Sequence, residues 1–269
     1  MGVRVRPMAL SFQSLRSGSS GNCLVLTSAR TTLLIDAGFP SIRGCREALE
    51  ELLPTVDGVV ISHLHGDHVS YSSLRVIEEH GLPVYVFEGD LRRLARRHFK
   101  GMGFHGLDLR PFAERQFRVG DFFICPFEVP HYPSEPTFGF EVHCTDGGRT
   151  HRAVLATDFF DWEPLRGWFE NADFLYVEAN YDPDLLRLYW NPNSAYHLSN
   201  GECGKLLGCA FERSRSLPAA VMLGHLSNDR NRPDLARDTV GQILGRAGYG
   251  RIRLRVAPRF EPSDPIHIA

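Results

Sequence analysis

The stretch of sequence that decides the fold is residues 58–68, which read G-V-V-I-S-H-L-H-G-D-H. Its first four residues predict a buried strand, and four metal-binding side chains follow within the next seven residues. Residues two apart at the end of a strand point the same way, so His63 and His65 can bind one cation. Asp67 and His68 lie in the following turn and can bind a second one. This spacing predicts a metal site rather than a polar loop of unrelated histidines.

Three more potential ligands close short apolar runs farther along the chain. They are His131, Asp158 and His225. Each follows a predicted strand, and strand ends that share a rim with the histidine segment can complete its site. A single histidine of this kind is more often a capped or solvated residue, but three residues with the same placement support one another. Asp158 is the best bridging residue, because a carboxylate has two oxygens and can span cations about 3.5 to 4 Å apart.

Short β-type runs alternate with amphipathic helical stretches, which predicts an α/β or α+β fold with helices layered over sheets. Strands are predicted at residues 22–27, 32–35, 58–61, 83–87, 117–119, 122–129, 138–144, 153–156, 174–178, 219–223 and 252–256. Helices are predicted at residues 42–53, 70–79, 91–99, 200–213 and 233–245. Turn signals in the middle of the chain indicate an antiparallel series there.

No linker of distinctive composition divides the chain, so we expect a single domain over residues 1–269. The tail at residues 258–269 is rich in proline, and we expect it to be loose. The chain has no solenoid repeat. One short motif, H-L-S-N, occurs twice, at residues 197–200 and at residues 225–228.

The composition excludes a protein that attracts nucleic acid through a global positive field. Thirty Lys and Arg residues against 32 Asp and Glu residues give a formal net charge of −2, so any site for a polyanion must be local. No run approaches the about 20 apolar residues that a membrane span needs, and we expect no membrane association. The six cysteines form no C-x-x-C pair, which favours reduced thiols and a cytoplasmic location.

The pattern of H-L-H-G-D-H followed by His131, Asp158 and His225 resembles that of the metallo-β-lactamase fold hydrolases. The resemblance covers roughly residues 8–257 and implies a four-layer αβ/βα sandwich with a two-metal site along its edge. It implies that the first metal is held by His63, His65 and His131, that the second is held by Asp67, His68 and His225, and that Asp158 bridges the two. Two divalent transition-metal ions are therefore expected, and such ligands accept zinc, manganese or iron.

Three further segments are similar to the YycJ/WalJ-like branch of that family, which is described as metal-dependent nucleases. They are S-G-S-S-G-N-C at residues 17–23, Y-H-L-S-N at residues 196–200 and G-H-L-S-N at residues 224–228. The branch includes a 5′-to-3′ exonuclease acting on DNA, and it lacks the large inserted domain of related RNA-processing nucleases, for which this chain also has no room. The resemblance thus implies a nucleic acid substrate, with DNA favoured over RNA.

The expected chemistry is phosphodiester hydrolysis, in which two cations sharing a hydroxide lower its pKa and place it in line with a phosphorus. We expect Asp67 to orient the attacking water or to accept its proton. His197 lies at the start of a predicted helix and is not needed for the two-metal set. We expect it to steady a phosphate or to protonate the leaving oxygen, the alternative being that it caps the helix or forms a hydrogen bond in the core.

Four serines are candidate phosphate ligands, namely Ser19, Ser20, Ser199 and Ser227. The first two belong to a glycine- and serine-rich segment whose backbone donors can cradle an anion, although a tight turn without a ligand explains that segment equally well. The other two can instead cap helices, which is the commoner role.

Four aromatic residues are candidate platforms for stacking bases, namely Tyr132, Tyr181, Tyr189 and Trp190. Packing in the core or at a rim is the commoner role of such side chains. Asp36 closes a strand near the expected site, and we expect it to brace a ligand histidine.

Two other functions are consistent with the same residues. The His and Asp set can also attack the activated carbonyl of a small thioester or lactone. Against this alternative, the chain has no appended helical domain of the kind that thioesterase relatives use, and His197 would lack a role. A non-enzymatic binding module on a decayed fold is the other alternative, and the complete set of seven ligands argues against it.

Overall fold

The computed structural model describes residues 10–98, 106–132 and 135–268 of the chain, with backbone alone at residues 97–98. The described residues form two seven-stranded sheets and seven α-helices. The sheets pack face to face around a shared apolar core, and helices cover the outer face of each sheet. This architecture confirms the expected α/β class and its αβ/βα layering.

The first sheet combines the N-terminal part of the chain with its last strand. Its strands are β1 (Leu10–Arg16), β2 (Cys23–Ser28), β3 (Thr32–Ile35), β4 (Val56–Val60), β5 (Pro83–Phe87), β6 (Asp108–Phe112) and β14 (Ile266–Ile268). Their spatial order is β14-β1-β2-β3-β4-β5-β6. Strands β3 to β6 run parallel, so β3 and β4 end at the same edge of the sheet.

The second sheet takes the remaining strands, which follow one another in space as they do in the chain. They are β7 (Phe117–Val119), β8 (Phe122–Glu128), β9 (Phe138–Asp146), β10 (Arg149–Ala156), β11 (Phe174–Glu178), β12 (Ala220–Gly224) and β13 (Leu254–Val256). Strands β10 to β13 run parallel. The residues that follow β10, β11 and β12 therefore lie together.

The helices are α1 (Ile42–Leu49), α2 (Tyr71–Glu79), α3 (Leu91–His98), α4 (Arg166–Phe169), α5 (Pro183–Leu188), α6 (Asn200–Arg213) and α7 (Pro233–Arg246). Ser41, Ser70 and Ser199 cap the first turns of α1, α2 and α6, where each hydroxyl oxygen accepts a backbone N–H three residues on. None of the helices in the described part of the chain has the length and apolar character needed to cross a membrane.

Strand β11 shows how the layers are held together. Successive side chains of a strand point to opposite faces, so Phe174 and Tyr176 enter the core between the sheets while Leu175 and Val177 pack toward the helices. The ring centroids of Phe12 in β1 and Phe174 lie 4.6 Å apart across the two sheets. A strand buried on both faces reads as a continuous apolar run, which is why the sequence shows no alternation here.

Most predicted elements are present with small shifts at their ends, but some differ. The helix predicted at residues 42–53 ends at Leu49, because a 3₁₀ turn at Leu53–Thr55 with Pro54 in its first turn replaces its last part. The strand predicted at residues 252–256 is confined to Leu254–Val256. The sequence analysis missed β1, β6 and β14. Residue 99, the predicted end of a helix, lies outside the described residues.

The expectation that the tail is loose is wrong for its last described residues, Ile266–Ile268. Strand β14 pairs antiparallel with β1, which places Ile266 opposite Phe12 and Ile268 opposite Leu10. Both isoleucines are buried in the core between the sheets. Two apolar residues in a three-residue strand are too few to show the alternation of a strand. The proline content therefore led the sequence analysis to predict a loose tail. The expectation of a single domain stays a prediction.

Candidate metal centre

The structure brings all seven predicted metal ligands to one edge of the sandwich, where strands of both sheets end. They are His63, His65, Asp67, His68, His131, Asp158 and His225. The first four follow β4 of the first sheet, and the other three follow β8, β10 and β12 of the second. Every member comes from a segment that leaves a strand at this edge, so the sheets position the site.

Three residues at this edge have a left-handed backbone conformation. The φ angles of Asp36, Asp158 and His225 are 63°, 62° and 55°. Among the non-glycine residues in the described ranges, only Asn171 shares this conformation. Asp and His visit it more readily than most residues, yet it still costs roughly 1 kcal/mol or more. Strain of this kind concentrates at functional sites, and here it turns the chain sharply just after β3, β10 and β12.

His63, His65 and His131 form one group of converging imidazoles, which we name the first triad. The Nδ1 atom of His65 lies 3.0 Å from Nε2 of His63 and 3.4 Å from Nε2 of His131. Burial lowers the pKa of all three imidazoles, which favours the neutral form with a free lone pair. Three ring nitrogens aimed at one point are the donors that a cation with imidazole ligands requires.

Asp67, His68 and His225 form the second triad. The Asp67 Oδ2 atom lies 3.6 Å from His68 Nε2 and 3.4 Å from His225 Nε2. Burial lowers the pKa of both imidazoles, but the carboxylates around them, Asp158 first, outweigh burial and raise the pKa of His225 to about 10. The carboxylates thus attract positive charge to this triad, and a divalent cation that displaced the protons would supply it.

Asp158 lies between the two triads and is almost fully buried. Its Oδ1 atom is 3.7 Å from Nε2 of His131 in the first triad and 3.7 Å from Nε2 of His225 in the second, and its Oδ2 atom is 3.1 Å from Nε2 of His68. Burial raises the pKa of this carboxyl, but His225 and His68 hold it well below its usual range. An ionised carboxylate in this place has the position that a bridging ligand needs.

Each histidine of the triads has its outer ring nitrogen against an oxygen. The pairs are His63 with Ser62 Oγ at 3.0 Å, His65 with Glu135 Oε2 at 3.3 Å, His68 with Asp36 Oδ2 at 2.7 Å, His131 with the backbone oxygen of Tyr196 at 3.0 Å, and His225 with Glu178 Oε1 at 2.7 Å. The expected contact between Asp36 and a histidine of the motif is therefore confirmed. An oxygen that accepts the outer N–H turns the inner lone pair toward the centre of the triad.

Glu178 is the site residue that the sequence analysis missed. Its side chain is fully buried, and its Oε1 atom lies 2.7 Å from Nδ1 of both His197 and His225. Its Oε2 atom accepts the backbone N–H groups of Phe159 and Leu198. Burial raises the pKa of this carboxyl, but the two histidines outweigh burial and hold it below its usual range. Glu178 closes the apolar run of β11 just as Asp158 follows β10, so the sequence carried the signal.

His197 lies beside the triads and outside them. Its Nδ1 atom is 2.7 Å from Glu178 Oε1 and 3.7 Å from Asp158 Oδ1. Helix α6 begins at Asn200 with Ser199 as its N-cap, so His197 does not cap that helix. Because Nδ1 is held by Glu178, the Nε2 atom is the nitrogen left for a ligand.

The comparison with known proteins places this geometry in a family. Residues 31–219, well over half of the chain, match the family described as Beta-lactamase superfamily domain. The chain belongs to this family. It is similar to the exodeoxyribonuclease YycJ of Bacillus anthracis, with 28% identity over 96% of each protein. It is also similar to the exodeoxyribonuclease WalJ of Streptococcus pneumoniae, with 27% identity over 90% of this chain and 91% of that one.

Solved structures confirm the expected fold of this β-lactamase superfamily member. The metallo-β-lactamase fold protein YhfI of Bacillus subtilis superposes with a TM-score of 0.70 at 20% identity, covering 94% of this chain and 98% of that one. The family and fold together make the chain a hydrolase. Imidazole and carboxylate donors in two triads fit divalent metal ions.

The triads open into a cavity of about 440 Å³. Ser194 and Arg230 line it, and the Ser194 Oγ and Arg230 Nε atoms are buried without a hydrogen-bond partner in the part of the chain that the structure describes. The Arg230 guanidinium carries further N–H groups that can donate hydrogen bonds to an anionic ligand in the cavity.

The four serines predicted to bind phosphate have different surroundings. Ser19 lines the cavity. The Ser20 hydroxyl accepts a hydrogen bond from the Arg16 guanidinium at 3.4 Å. Ser199 caps α6, which confirms the commoner role expected for it, and Ser227 is fully buried. Ser19 is thus the one of the four that faces the space beside the triads.

Proposed function

We propose that this chain hydrolyses phosphodiester bonds of nucleic acid at a two-metal centre. The observation that carries the proposal is an ionised carboxylate, Asp158, set between two triads, with the His197–Glu178 pair directly beside it. The triads alone would serve many hydrolytic reactions of the superfamily. The neighbouring pair adds a proton donor, which cleavage of an unactivated phosphodiester needs for its leaving oxygen.

In this proposal the first triad would hold one ion and the second triad the other, and Asp158 is placed to contribute to both. When bound, two divalent cations supply Lewis acidity that activates a water molecule and offsets the charge of the phosphoryl oxygens. The Asp67 side chain is 24% exposed while the neighbouring His68 is 1% exposed. Because its side chain is partly exposed, Asp67 can reach a water molecule in the cavity, orient it and accept its proton.

His197 supplies the proton for the leaving oxygen. Glu178 accepts the Nδ1–H group, which fixes the ring and leaves Nε2 to carry the transferred proton. The Arg230 guanidinium, which lines the cavity, can meanwhile donate hydrogen bonds to the phosphate.

We propose further that the substrate is DNA and that the chain degrades it from the 5′ end with zinc, manganese or iron. The relatives named exodeoxyribonucleases align with nearly the whole chain, which supports DNA and cleavage from an end. The 5′-to-3′ direction rests on the resemblance to their branch. The choice among metals rests on ligand chemistry, since imidazole and carboxylate suit all three.

The test uses metal-reconstituted protein with end-labelled DNA and RNA oligonucleotides, each single and double stranded, and an S-acyl glutathione as the thioester control. We expect a ladder of mononucleotides released from the 5′ end of DNA. Hydrolysis of the thioester alone would replace the proposal with the small-molecule alternative. If protein that holds two ions by elemental analysis hydrolyses neither the nucleic acids nor the thioester, the proposal is overturned.

A single substitution tests the role of His197. We expect His197→Ala to keep both ions and to slow phosphodiester cleavage about 10²- to 10⁴-fold, the usual contribution of a general acid. Metal content by elemental analysis and single-turnover rates measure the two effects. The matched control is His143→Ala, a histidine of β9 outside the triads. If His197→Ala loses an ion, His197 is a ligand and not a proton donor.

A further inference from the structure

Three aromatic rings stand beside the metal centre, and we name them the aromatic cluster. Tyr132 directly follows His131 and Phe160 comes two residues after Asp158, both predicted ligands of the centre, and Tyr196 directly precedes His197 beside it. Neighbouring Cα atoms are about 3.8 Å apart, so such short links fix the rings relative to the centre.

Two of the three rings are exposed, and both contact the third. Tyr132 is 46% exposed and Phe160 is 44% exposed. Their centroids lie 5.2 Å and 6.3 Å from that of Tyr196, in edge-to-face arrangements. Backbone contacts tie the segments together, since the Phe160 N–H donates to the oxygen of Pro130 and the oxygen of Tyr196 lies 3.0 Å from Nδ1 of His131. Exposed aromatic faces are the surfaces on which bases stack.

A second cavity of about 530 Å³ adjoins the first and runs past Tyr132 and Phe160. The two cavities share His131, Tyr132 and Glu135, and the second is also lined by Phe160 and Arg93. A path therefore leads from the triads across the aromatic cluster to a guanidinium. A nucleic acid strand with one phosphate at the triads would continue along it.

Base stacking on this path requires a single strand. Arg93 is 44% exposed and pairs with the buried Asp90 at 3.3 Å, which positions its guanidinium. Glu128 and Glu135 line the same cavity with carboxylates. Among the described residues, the lining of this cavity supplies no excess of positive charge. The faces of paired bases in a duplex are already covered by their neighbours, so only an unpaired base can stack on the rings. Stacking on aromatic rings needs no such excess of positive charge.

We infer that the aromatic cluster is a base-stacking platform that holds a single strand of nucleic acid against the metal centre. This inference rests on the proposed nuclease function and names its substrate class. The bases lie against Tyr132 and Phe160, and the backbone passes between the triads and Arg93. Strand ends that are single stranded are therefore the preferred substrate.

The test measures binding of a phosphorothioate DNA oligonucleotide of about 12 nucleotides, which resists hydrolysis, to the metal-loaded protein. The oligonucleotide carries the fluorescent base 2-aminopurine at successive positions, because its emission reports stacking. We expect Tyr132→Ala to weaken binding about tenfold and to remove the emission change at one position. Tyr132→Phe should keep both, and Phe123→Ala, an aromatic at the far end of β8, should bind like the unchanged protein.

An abasic nucleotide at the position whose emission changes separates stacking from a general structural effect. It should weaken binding to the unchanged protein, and Tyr132→Ala should then cause no further loss. Equal loss with and without the base would overturn the inference, as would tighter binding or faster cleavage of a blunt duplex. Phe160→Ala repeats the test if Tyr132→Ala does not fold. Failure of the proposed function differs, because then the unchanged protein cleaves no nucleic acid at all.

Discussion

At the scale of single residues, the charge of Glu178 orients two histidines at once. Its Oε1 atom lies 2.7 Å from Nδ1 of His197 and 2.7 Å from Nδ1 of His225. Glutamine has nearly the same shape but lacks the charge, and its amide N–H₂ group cannot accept an N–H. The second triad therefore depends on this carboxylate for the orientation of His225.

We expect Glu178→Gln to weaken metal binding at the second triad about 10- to 100-fold, the usual effect of losing an outer partner of a ligand histidine. The first triad should retain its ion, because Ser62 and Glu135 brace it independently. Calorimetric titration of the metal-free protein with zinc measures both sites. Glu212→Gln, in the last turn of α6, is the exposed control. Equal weakening of both sites would contradict this account of Glu178.

Site residues that lie close together in the sequence were the easiest to predict. The segment from His63 to His68 is dense in ligands, and no packing need explains such density. Glu178 was missed because one carboxylate after an apolar run also suits a strand that simply ends in solvent. Only the parallel order of β10, β11 and β12 brings that strand end to the same edge as Asp158 and His225.

At the scale of elements, three turns pack backbone against backbone under the second triad. The Asn22 N–H donates to the oxygen of Asp67 at 2.7 Å, and the Gly38 N–H donates to the oxygen of Asn22 at 2.9 Å. A Cβ atom at Gly38 would lie 1.8 Å from the Asp67 carbonyl oxygen. The glycine that the metal motif needs sterically is thus Gly38, in a different turn, whereas a Cβ at Gly66 within the motif would meet nothing within 4 Å.

We expect Gly38→Ala to lower the free energy of unfolding by about 1–3 kcal/mol, because the contact is with backbone and a turn must shift. Chemical denaturation of the metal-free variants measures this without the contribution of bound ions. Gly66→Ala is the matched control and should unfold like the unchanged protein. A larger loss for Gly66→Ala than for Gly38→Ala would show that packing of these turns is not what restricts the motif.

The local sequence pattern predicted whether a segment is a helix or a strand, but it did not predict the ends of several elements or the strands at the edges of the sheets. The helix at Asn200–Arg213 was predicted with its observed bounds, because Ser199 provides an N-cap at its start. Strand β6 was missed because Arg110 and Pro111 interrupt its apolar pattern, which an edge strand tolerates. The pairing of β14 with β1 joins the two ends of the chain, and no local pattern reports a partner that distant.

At the scale of the whole molecule, the candidate centre joins the two sheets. Each triad combines side chains that follow the first sheet with one that follows the second: His131 in the first triad and His225 in the second. Asp158 also follows the second sheet and touches members of both triads. Ions in both triads would therefore cross-link the two sheets. The sequence analysis could assign ligands from both halves of the chain to one triad only through the family resemblance.

Removal of the ions should accordingly destabilise the whole sandwich. Free metal at about 1,000 times its dissociation constant contributes about 4 kcal/mol of stability per site, and that contribution disappears with a strong chelator. Without the ions, the ionised Asp67 and Asp158 also face each other with less compensating charge. Differential scanning calorimetry of zinc-loaded and chelated protein, at one protein concentration, should show a clear fall in the unfolding midpoint on chelation.

His131→Asn removes the contact of the first triad with the second sheet, so chelation should lower the unfolding midpoint of this variant by a smaller amount. Identical midpoints for loaded and chelated protein, when elemental analysis finds two ions in the loaded sample, would show that the metals do not link the sheets.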